Sequence, residues 1–405
     1  MTDGAGSLAA LPAALPEGTR LLHIGPPKTG TTSLQAAFWA AKEEAIRQGV
    51  RYAGKSRHSS KAVLAVTGRR SFAEDRAIPP ISHWDAVLRE IRGATEPRVV
   101  LSSEGFSYAK PAAIERVVRD LERDRLHVVV TLRPIARLVA SEWQEHAQSG
   151  MRLSLEAYLD ALFRDGDPVQ HRLFWHRQRH DQLIERWAEQ VGIDRMSAIV
   201  VDETDHGRLY RVFEALIGLR AGTLVPEAGI SNRSLTLPEI VAVRALADRF
   251  EAEGYSMAAF HRVVRMKVAA SMKGRVPGPD ELRIDTPQWA LDAAGDVARE
   301  VVAGIRASGV RVIGNLDSLT VVPTSRLAGD ALPDVTIPPE VAASMAMGAL
   351  HAGHLEAELT GAGTWASAAS TGEPPEVARI RSRRLAGILL ARGRRAVARR
   401  LRLRR

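Results

Sequence analysis

The chain has 405 residues, of which 45% are hydrophobic and 25% are charged, a composition that is ordinary for a globular protein. This length allows one large α/β domain with additions, or two domains. Cysteine is absent from the sequence, which excludes disulfides and thiolate metal sites. The net charge of +9 lies at the C-terminal end, because residues 373–405 contain twelve arginines and two glutamates. The rest of the chain is nearly neutral and does not predict specific nucleic-acid binding.

The first residues do not resemble a targeting signal. No Lys or Arg precedes Arg20, so residues 1–18 lack the basic start of a signal peptide, and they are rich in Ala, Gly and Pro. No apolar run approaches the ~18 residues that span a bilayer. We therefore expect a flexible N-terminus over residues 1–18 and a cytoplasmic protein.

Strands and helices are predicted to alternate along the chain. Apolar, often β-branched stretches predict strands at residues 20–24, 50–52, 98–101, 126–132, 197–201 and 310–313. Apolar residues at helical spacing predict helices at residues 31–48, 85–91, 112–123, 134–148, 153–163, 171–190, 209–216, 238–252 and 256–271. Residues 54–82 are polar and predict a loop with a short helix. This alternation predicts a three-layer α/β fold with a central, mostly parallel sheet and helices on both sides.

The regular pattern ends near residue 322, so the main domain is expected to span residues 19–322. An Ala/Gly/Pro-rich extension follows at 323–375, with a predicted helix at 338–358. The basic tail at 376–405 has the pattern of an Arg-rich amphipathic helix. Such a tail can bind an anionic membrane surface, or it can be a solubilising or docking extension.

The segment Gly25-Pro26-Pro27-Lys28-Thr29-Gly30-Thr31-Thr32 joins the first predicted strand to the first predicted helix. Glycines let the backbone approach an anion closely, and the first N–H groups of a helix have no intrahelical partner. Lys28 adds a full positive charge, and Thr31 and Thr32 add hydroxyl donors. The pattern differs from a Walker A loop, because Lys28 precedes Gly30 and Thr31 occupies the usual Lys position. The alternative is an ordinary glycine turn.

Three predicted strands are followed by polar residues: Lys28, Glu104 and Arg133. Since ligands of open parallel sheets bind beyond the carboxyl ends of the strands, these side chains are expected to converge. Ser141 lies eight residues after Arg133 on the same side of the predicted helix, and an Arg guanidinium suits a phosphate. The alternatives are that Arg133 caps the sheet and Ser141 faces solvent, or that Glu104 forms a structural ion pair with an Arg such as Arg133.

Residues 25–34 and 130–141 resemble the donor-binding motifs of sulfotransferases that use 3′-phosphoadenosine-5′-phosphosulfate (PAPS). The resemblance extends over about residues 20–320 and implies a P-loop NTPase-like fold. In this family the loop binds the 5′-phosphosulfate, while an Arg at a strand end and a Ser two helical turns later bind the 3′-phosphate. The resemblance therefore implies a PAPS site formed by Pro27, Lys28, Thr29, Gly30, Thr31, Thr32, Arg133 and Ser141.

The same resemblance implies catalytic roles for two residues. Lys28 would stabilise charge on the transferring group and the bridging oxygen. Glu104 would be the base that takes the proton of the acceptor, at a strand end where some family members carry a His and others a Glu. No metal is implied, because Lys28 and backbone donors perform the charge stabilisation. His58, in a polar loop, is a weaker candidate for the acceptor side.

Other segments resemble the family less specifically. The pair at 202–203 follows the fifth predicted strand, as an acidic pair does in the family, but Val201 stands where a Tyr is common. In an NTPase such a pair would hold Mg²⁺, and the simplest alternative is a strand that ends in solvated acids. Either Lys273–Arg275 or Asn232–Ser234 would close over the donor.

Three functions are open at this point. The first is a PAPS-dependent sulfotransferase that acts on a hydroxyl or amine of a glycan, glycolipid or small metabolite. The second is a P-loop kinase or NTPase, which needs Mg²⁺ and is disfavoured by the position of Lys28. The third is a non-catalytic module that binds anionic membranes or nucleic acid through the basic tail. Neither the acceptor nor the oligomeric state is predicted.

Overall fold

The computed structural model describes residues 11–71, 77–226, 233–327 and 329–359. The chain divides into two compact units, residues 1–352 and 353–405. Of the second unit, the structure describes residues 353–359, which form the end of a helix. Within the described ranges, every helix is too short or too polar to span a bilayer.

In the described part of the chain, one sheet is formed by the strands β1 (Arg20–His23), β2 (Val50–Tyr52), β3 (Arg98–Ser102), β4 (Leu126–Leu132), β5 (Met196–Val200) and β6 (Arg311–Ile313). Neighbouring strands are parallel, and their order across the sheet is β2-β3-β1-β4-β5-β6. The predicted bounds of these strands agree with the structure to within one residue.

Helices cover both faces of the sheet. Those in the described ranges are α1 (Thr31–Ala40), α2 (Lys42–Arg47), α3 (Ser60–Thr67), α4 (Ser82–Arg92), α5 (Pro111–Asp120), α6 (Ile135–Gln148), α7 (Leu155–Phe163), α8 (Pro168–Gln178), α9 (His180–Val191), α10 (Arg208–Ile217), α11 (Leu237–Ala252), α12 (Met257–Phe260), α13 (Ala269–Gly274), α14 (Gln288–Ser308) and α15 (Pro339–Leu359). A 3₁₀ segment at Glu104–Tyr108 follows β3, and a π-helix at His261–Val268 joins α12 to α13.

Side chains of the central strands alternate between two apolar clusters. In β4, Val128, Val130 and Leu132 belong to one cluster, and Val129 belongs to the other. This alternation follows the period of two in a strand. The first cluster packs the sheet against α4, α5, α6, α9 and α14, and the second packs it against α1 and α10. The predicted three-layer α/β fold with a central parallel sheet is therefore confirmed.

The centre of the sheet is a topological switch point. β1 lies between β3 and β4, so the chain fills one half of the sheet with β2 and β3 before it crosses to the half with β4, β5 and β6. In open α/β sheets such a point leaves a crevice beyond the carboxyl ends of the strands. The segments that follow β1, β3 and β4 border this crevice.

Some helices differ from the prediction. The predicted helix at 31–48 is divided into α1 and α2, and the one at 171–190 is divided into α8 and α9. The 21-residue helix α14 is absent from the prediction altogether. Its buried residues include Ala290, Ala294, Gly295 and Ala298, and such small residues weaken the apolar periodicity that identifies a helix.

Two predicted domain bounds need correction. Residues 11–18 are not frayed, because Leu15 is buried and its N–H donates to the carbonyl of Leu216 at 2.8 Å. The main unit also extends beyond residue 322 to Ala352, because Val341 in α15 is buried in the first apolar cluster. The predicted basic tail at 376–405 lies outside the described residues.

Candidate functional site

The loop between β1 and α1 is left-handed at two of its residues. Lys28 has φ = 69° and Gly30 has φ = 89°. Glycine adopts this conformation freely, whereas a lysine does so rarely, and such strain is concentrated at functional sites. Gly30 is the N-cap of α1, and no side chain caps this helix. The first N–H groups of α1, with the positive end of the helix dipole, are therefore available to an anion.

A buried chain of hydrogen bonds lies beneath this loop. Ser102 Oγ in β3 lies 2.8 Å from Nδ1 of His23 in β1, and Nε2 of His23 lies 3.1 Å from Oγ1 of Thr131 in β4. Thr131 Oγ1 lies 2.6 Å from Thr29 Oγ1, which donates to the carbonyl of Pro26 at 2.7 Å. These hydrogen bonds therefore connect the three central strands to the loop.

The direction of each hydrogen bond in this chain can be assigned. Thr29 uses its single proton on the carbonyl of Pro26, so Thr131 must donate to Thr29. Thr131 must then accept from His23, which places the histidine proton on Nε2 and leaves Nδ1 to accept from Ser102. Burial lowers the pKa of His23 to about 3, so the neutral ring that this assignment requires is the stable form.

The hydroxyl of Thr31, at the first position of α1, is buried and has no hydrogen-bond partner in the described part of the chain. Buried polar atoms are normally satisfied, so this hydroxyl fits a ligand atom bound at the loop. The Thr29 hydroxyl differs from the expectation, because it is fully buried and bonded to Pro26, so its side chain shapes the loop instead of facing a ligand. Thr32 is exposed and Pro27 is partly buried at the turn.

Lys28 is paired with an acidic residue that the sequence did not identify. Its Nζ lies 2.6 Å from Oε2 of Glu145 in α6, and Arg265 of the π-helix contacts the other carboxylate oxygen. Burial acts to raise the pKa of Glu145, but Lys28 and Arg265 outweigh it and lower this pKa to about 2. The Glu145 carboxylate is therefore ionised at neutral pH. π-helical turns are also frequent at functional sites.

Lys273, at the end of α13, belongs to the same group of charges. Burial lowers the pKa of Lys273, Glu145 opposes this shift, and Lys28 and Arg265 add to it. Lys28, Arg265 and Lys273 thus outnumber the two carboxylates of this group, Glu145 and Glu104, and the net positive charge favours an anionic ligand.

The other residues of the two predicted closing loops have structural roles. Arg233 Nη1 and Arg275 Nη2 bind the fully buried carboxylate of Glu239 at 2.7 and 2.9 Å. A buried carboxylate needs such partners, so both guanidinium groups stabilise the packing around α11. Asn232 lies outside the described residues.

Arg133 follows β4 directly and lies against the loop. Its Nη1 donates to the carbonyl of Lys28 at 3.2 Å, and its Nη2 donates to Glu203 at 2.8 Å. The expected proximity of Lys28 and Arg133 is therefore observed. The acidic partner of Arg133 is Glu203, so the ion pair with Glu104 that was considered as an alternative is not formed. Asp202 accepts from the N–H of Thr204 at 2.8 Å and stabilises the turn after β5.

Ser141 is partly buried in α6, one turn before Glu145. Residues four apart lie on the same face of a helix, so Ser141 is directed to the same side as the Lys28 partner. His58 is exposed, and its Nδ1 lies 2.5 Å from Oε1 of Gln35. Partial burial lowers the pKa of its ring.

Glu104 is the first residue of the 3₁₀ segment that follows β3. Burial and the negative charge of Glu145 raise the pKa of Glu104, while Lys28 opposes this shift. A carboxylate with a raised pKa beside a cation in a crevice is typical of a general base. The pKa values of Glu104 and Glu145 are thus shifted in opposite directions. Such a difference allows two carboxylates of one site to have different roles.

Four residues of this site were missed by sequence reasoning: His23, Thr131, Glu145 and Arg265. His23 and Thr131 were detectable, because each is a polar residue within an apolar strand close to the strand end. Glu145 was detectable from its spacing of four from Ser141. The sequence around Arg265 contains no comparable signal.

Comparisons with known proteins give limited similarity. No family model and no curated protein matches the chain. A sulfotransferase from Alicyclobacillus acidocaldarius aligns with 16% identity and a TM-score of 0.38, over 62% of this chain and 100% of that chain. The 54 kDa signal recognition particle protein of Aeropyrum pernix K1, solved in complex with GDP, aligns with 13% identity and a TM-score of 0.24, over 70% and 57% of the two chains. Neither similarity is strong enough to assign a function.

We predict that Thr131→Val destabilises the protein by about 1–3 kcal/mol, because it leaves the buried His23 N–H and the Thr29 oxygen without their partner. Thr131→Ser keeps the hydroxyl and should cost at most about 1 kcal/mol for the lost methyl group. Urea unfolding of both variants measures the difference. Equal stability of the two variants would show that the hydrogen-bond chain does not hold the loop.

We predict that the two carboxylates contribute to stability with opposite signs. Glu145→Gln should destabilise the protein at neutral pH, and this loss should fade as the pH falls from 4.5 towards 2, where Glu145 itself is protonated. Glu104→Gln should stabilise it at neutral pH, since it removes a buried charge, and this gain should vanish below pH 4.5. Urea unfolding at about pH 7 and about pH 3 tests both signs. The same sign at neutral pH would contradict the assigned environments.

Proposed function

We propose that the protein is a sulfotransferase that uses PAPS and transfers its sulfuryl group to a hydroxyl or amine of an acceptor. The observation that carries this proposal is the contact between Arg133 and the backbone of Lys28, on a loop with an unpartnered buried hydroxyl at Thr31. Two cations and a helix N-terminus at one point suit a ligand with several phosphate or sulfate groups. Glu104 lies beside Lys28 and supplies a base.

The residues present fit such a donor. The backbone N–H groups before Thr31, together with the Thr31 and Thr32 hydroxyls, would hold the 5′-phosphosulfate. Arg133 and Ser141 would hold the 3′-phosphate, with Arg133 donating from the N–H groups that Glu203 and the Lys28 carbonyl leave free. PAPS, when bound, supplies a sulfuryl group on a phosphate leaving group.

The chain's own residues would then divide the work of the reaction. Lys28 and the loop N–H groups stabilise the negative charge that develops on the leaving phosphate oxygen. Glu104 accepts the proton of the acceptor as the acceptor oxygen or nitrogen forms its bond to sulfur. Glu145 keeps Lys28 in place near the crevice and shares it with the donor.

We predict that the protein binds adenosine 3′,5′-bisphosphate without metal and more tightly than it binds Mg-ATP, as titration calorimetry measures. Lys28→Ala should weaken bisphosphate binding about 10- to 100-fold, the effect of losing a charged hydrogen bond, and should abolish sulfuryl transfer. The exposed Lys110, outside the site, provides the control variant Lys110→Ala.

Two results would refute this assignment. A metal-dependent preference for Mg-ATP would favour the kinase or NTPase alternative. Sulfated product at the wild-type rate in Lys28→Ala, in cell extract supplied with labelled donor, would remove Lys28 from the mechanism.

We predict that Glu104→Gln lowers the transfer rate by a factor of about 10² to 10⁴, which is typical of losing a general base, while bisphosphate binding is unchanged. The wild-type rate should rise with pH as Glu104 ionises, above the usual pH 4.5 of a Glu, and this rise should disappear in the variant. Glu115→Gln, on the exposed side of α5, is the matched control. An unchanged pH profile in Glu104→Gln would exclude Glu104 as the base.

A further inference from the structure

Arg69 stacks on Tyr108, the last residue of the 3₁₀ segment that begins with Glu104. It follows α3 after Gly68, which ends the helix with φ = 66°. The guanidinium carbon of Arg69 stacks 3.5 Å from the ring centroid of Tyr108. Helix α3 is packed closely on the 3₁₀ segment, since a Cβ at Gly105 would come within 2.8 Å of Val63. The position of Arg69 over Tyr108 is therefore held by the packing of the protein.

Arg69 forms no ion pair of its own in the part of the chain that the structure describes. A second guanidinium, that of Arg177, lies 4.7 Å from the centroid of the Tyr108 ring, but it forms a buried ion pair with Glu142 at 2.7 Å. No salt bridge within the described ranges includes Arg69. Burial lowers the pKa of Arg69, which is the expected effect on a partly desolvated cation. A cation in this state gains more from an anionic ligand than an exposed one does.

Glu104, the proposed base, and Arg69 are close to each other because both are positioned by the same 3₁₀ segment. Glu104 and Tyr108 are the first and last residues of one 3₁₀ segment, and Glu104 interacts electrostatically with Arg69. A group bound at Arg69 would thus lie next to the carboxylate that takes the acceptor's proton. Because the Tyr108 ring covers one face of the guanidinium, a ligand meets its edge, where a planar carboxylate can accept two hydrogen bonds.

We propose that Arg69, supported by Tyr108, is the binding site for a carboxylate of the acceptor, so that the acceptor is a hydroxyl or amino compound that also carries a carboxylate. This inference rests on the proposed function and names the substrate class of the same site. A different role for Arg69 would be to support the charge of Glu104, which would affect acidic and neutral acceptors equally.

Matched pairs of acceptor probes test this proposal by calorimetry, with adenosine 3′,5′-bisphosphate present. The pairs are para-hydroxyphenylacetate with its methyl ester, and methyl glucuronide with methyl glucoside. In the wild type, the acid of at least one pair should bind about 10-fold or more tightly than its neutral partner, as expected for a charged hydrogen bond. Arg69→Gln should remove this preference, and Arg69→Lys should keep only part of it, because Lys lacks the planar fork.

The neighbouring Arg70 is exposed, so Arg70→Gln is the control and should keep the preference for the acid. Equal binding of acid and neutral probes in the wild type, absence of binding by every probe, or an equal loss for both members of a pair in Arg69→Gln would overturn the proposal. The proposed function fails separately, through loss of bisphosphate binding in the wild type. Retained bisphosphate binding in Arg69→Gln shows that the variant is folded.

Discussion

The site depends on the chain of hydrogen bonds that runs from Ser102 through His23 to Thr131 and the loop. These hydrogen bonds cross β3, β1 and β4, the same strands whose carboxyl ends lead to Glu104, the Lys28 loop and Arg133. Because each hydroxyl has one proton, the bonds have one consistent direction, and a shift of the loop would break several of them together. The rigid sheet thereby fixes the strained backbone of Lys28, whose φ is 69°.

Two carboxylates that interact with Lys28, Glu145 and Glu104, have pKa values that are shifted in opposite directions. Glu145 is ringed by cations and remains ionised, so it holds Lys28 without competing for protons. Glu104 is desolvated and feels the charge of Glu145, which raises its affinity for a proton. The charge of Glu145 thus helps to make Glu104 the stronger base. The repulsion between the two carboxylates lowers the stability of the fold, a cost that is typical of functional sites.

Sequence reasoning located the sheet because its strands are apolar and β-branched, and it located Lys28, Glu104 and Arg133 because they follow strand ends. It missed α14, where small residues hide the helical period, and it missed Arg265, which reaches Lys28 through tertiary packing of a distant helix. Thr29 was included in the predicted donor site, but its hydroxyl donates to Pro26, because side-chain direction in an irregular loop does not follow from residue order. Local sequence patterns therefore predicted the sheet and the residues at its strand ends, whereas tertiary packing determines which polar atoms face the crevice.

The cationic side chains of the crevice differ in whether they already have a carboxylate partner. Lys28 and Arg133, on the proposed donor side, are paired with Glu145 and Glu203. A donor must therefore share these partners, which a ligand with several negative charges can do more readily than one with a single charge. Arg69, beside Glu104, lies in no such pair among the described residues, so one carboxylate is enough to neutralise it. Under the proposed function, the crevice would thus distinguish a multiply charged donor from a singly charged acceptor by whether its cations already have carboxylate partners.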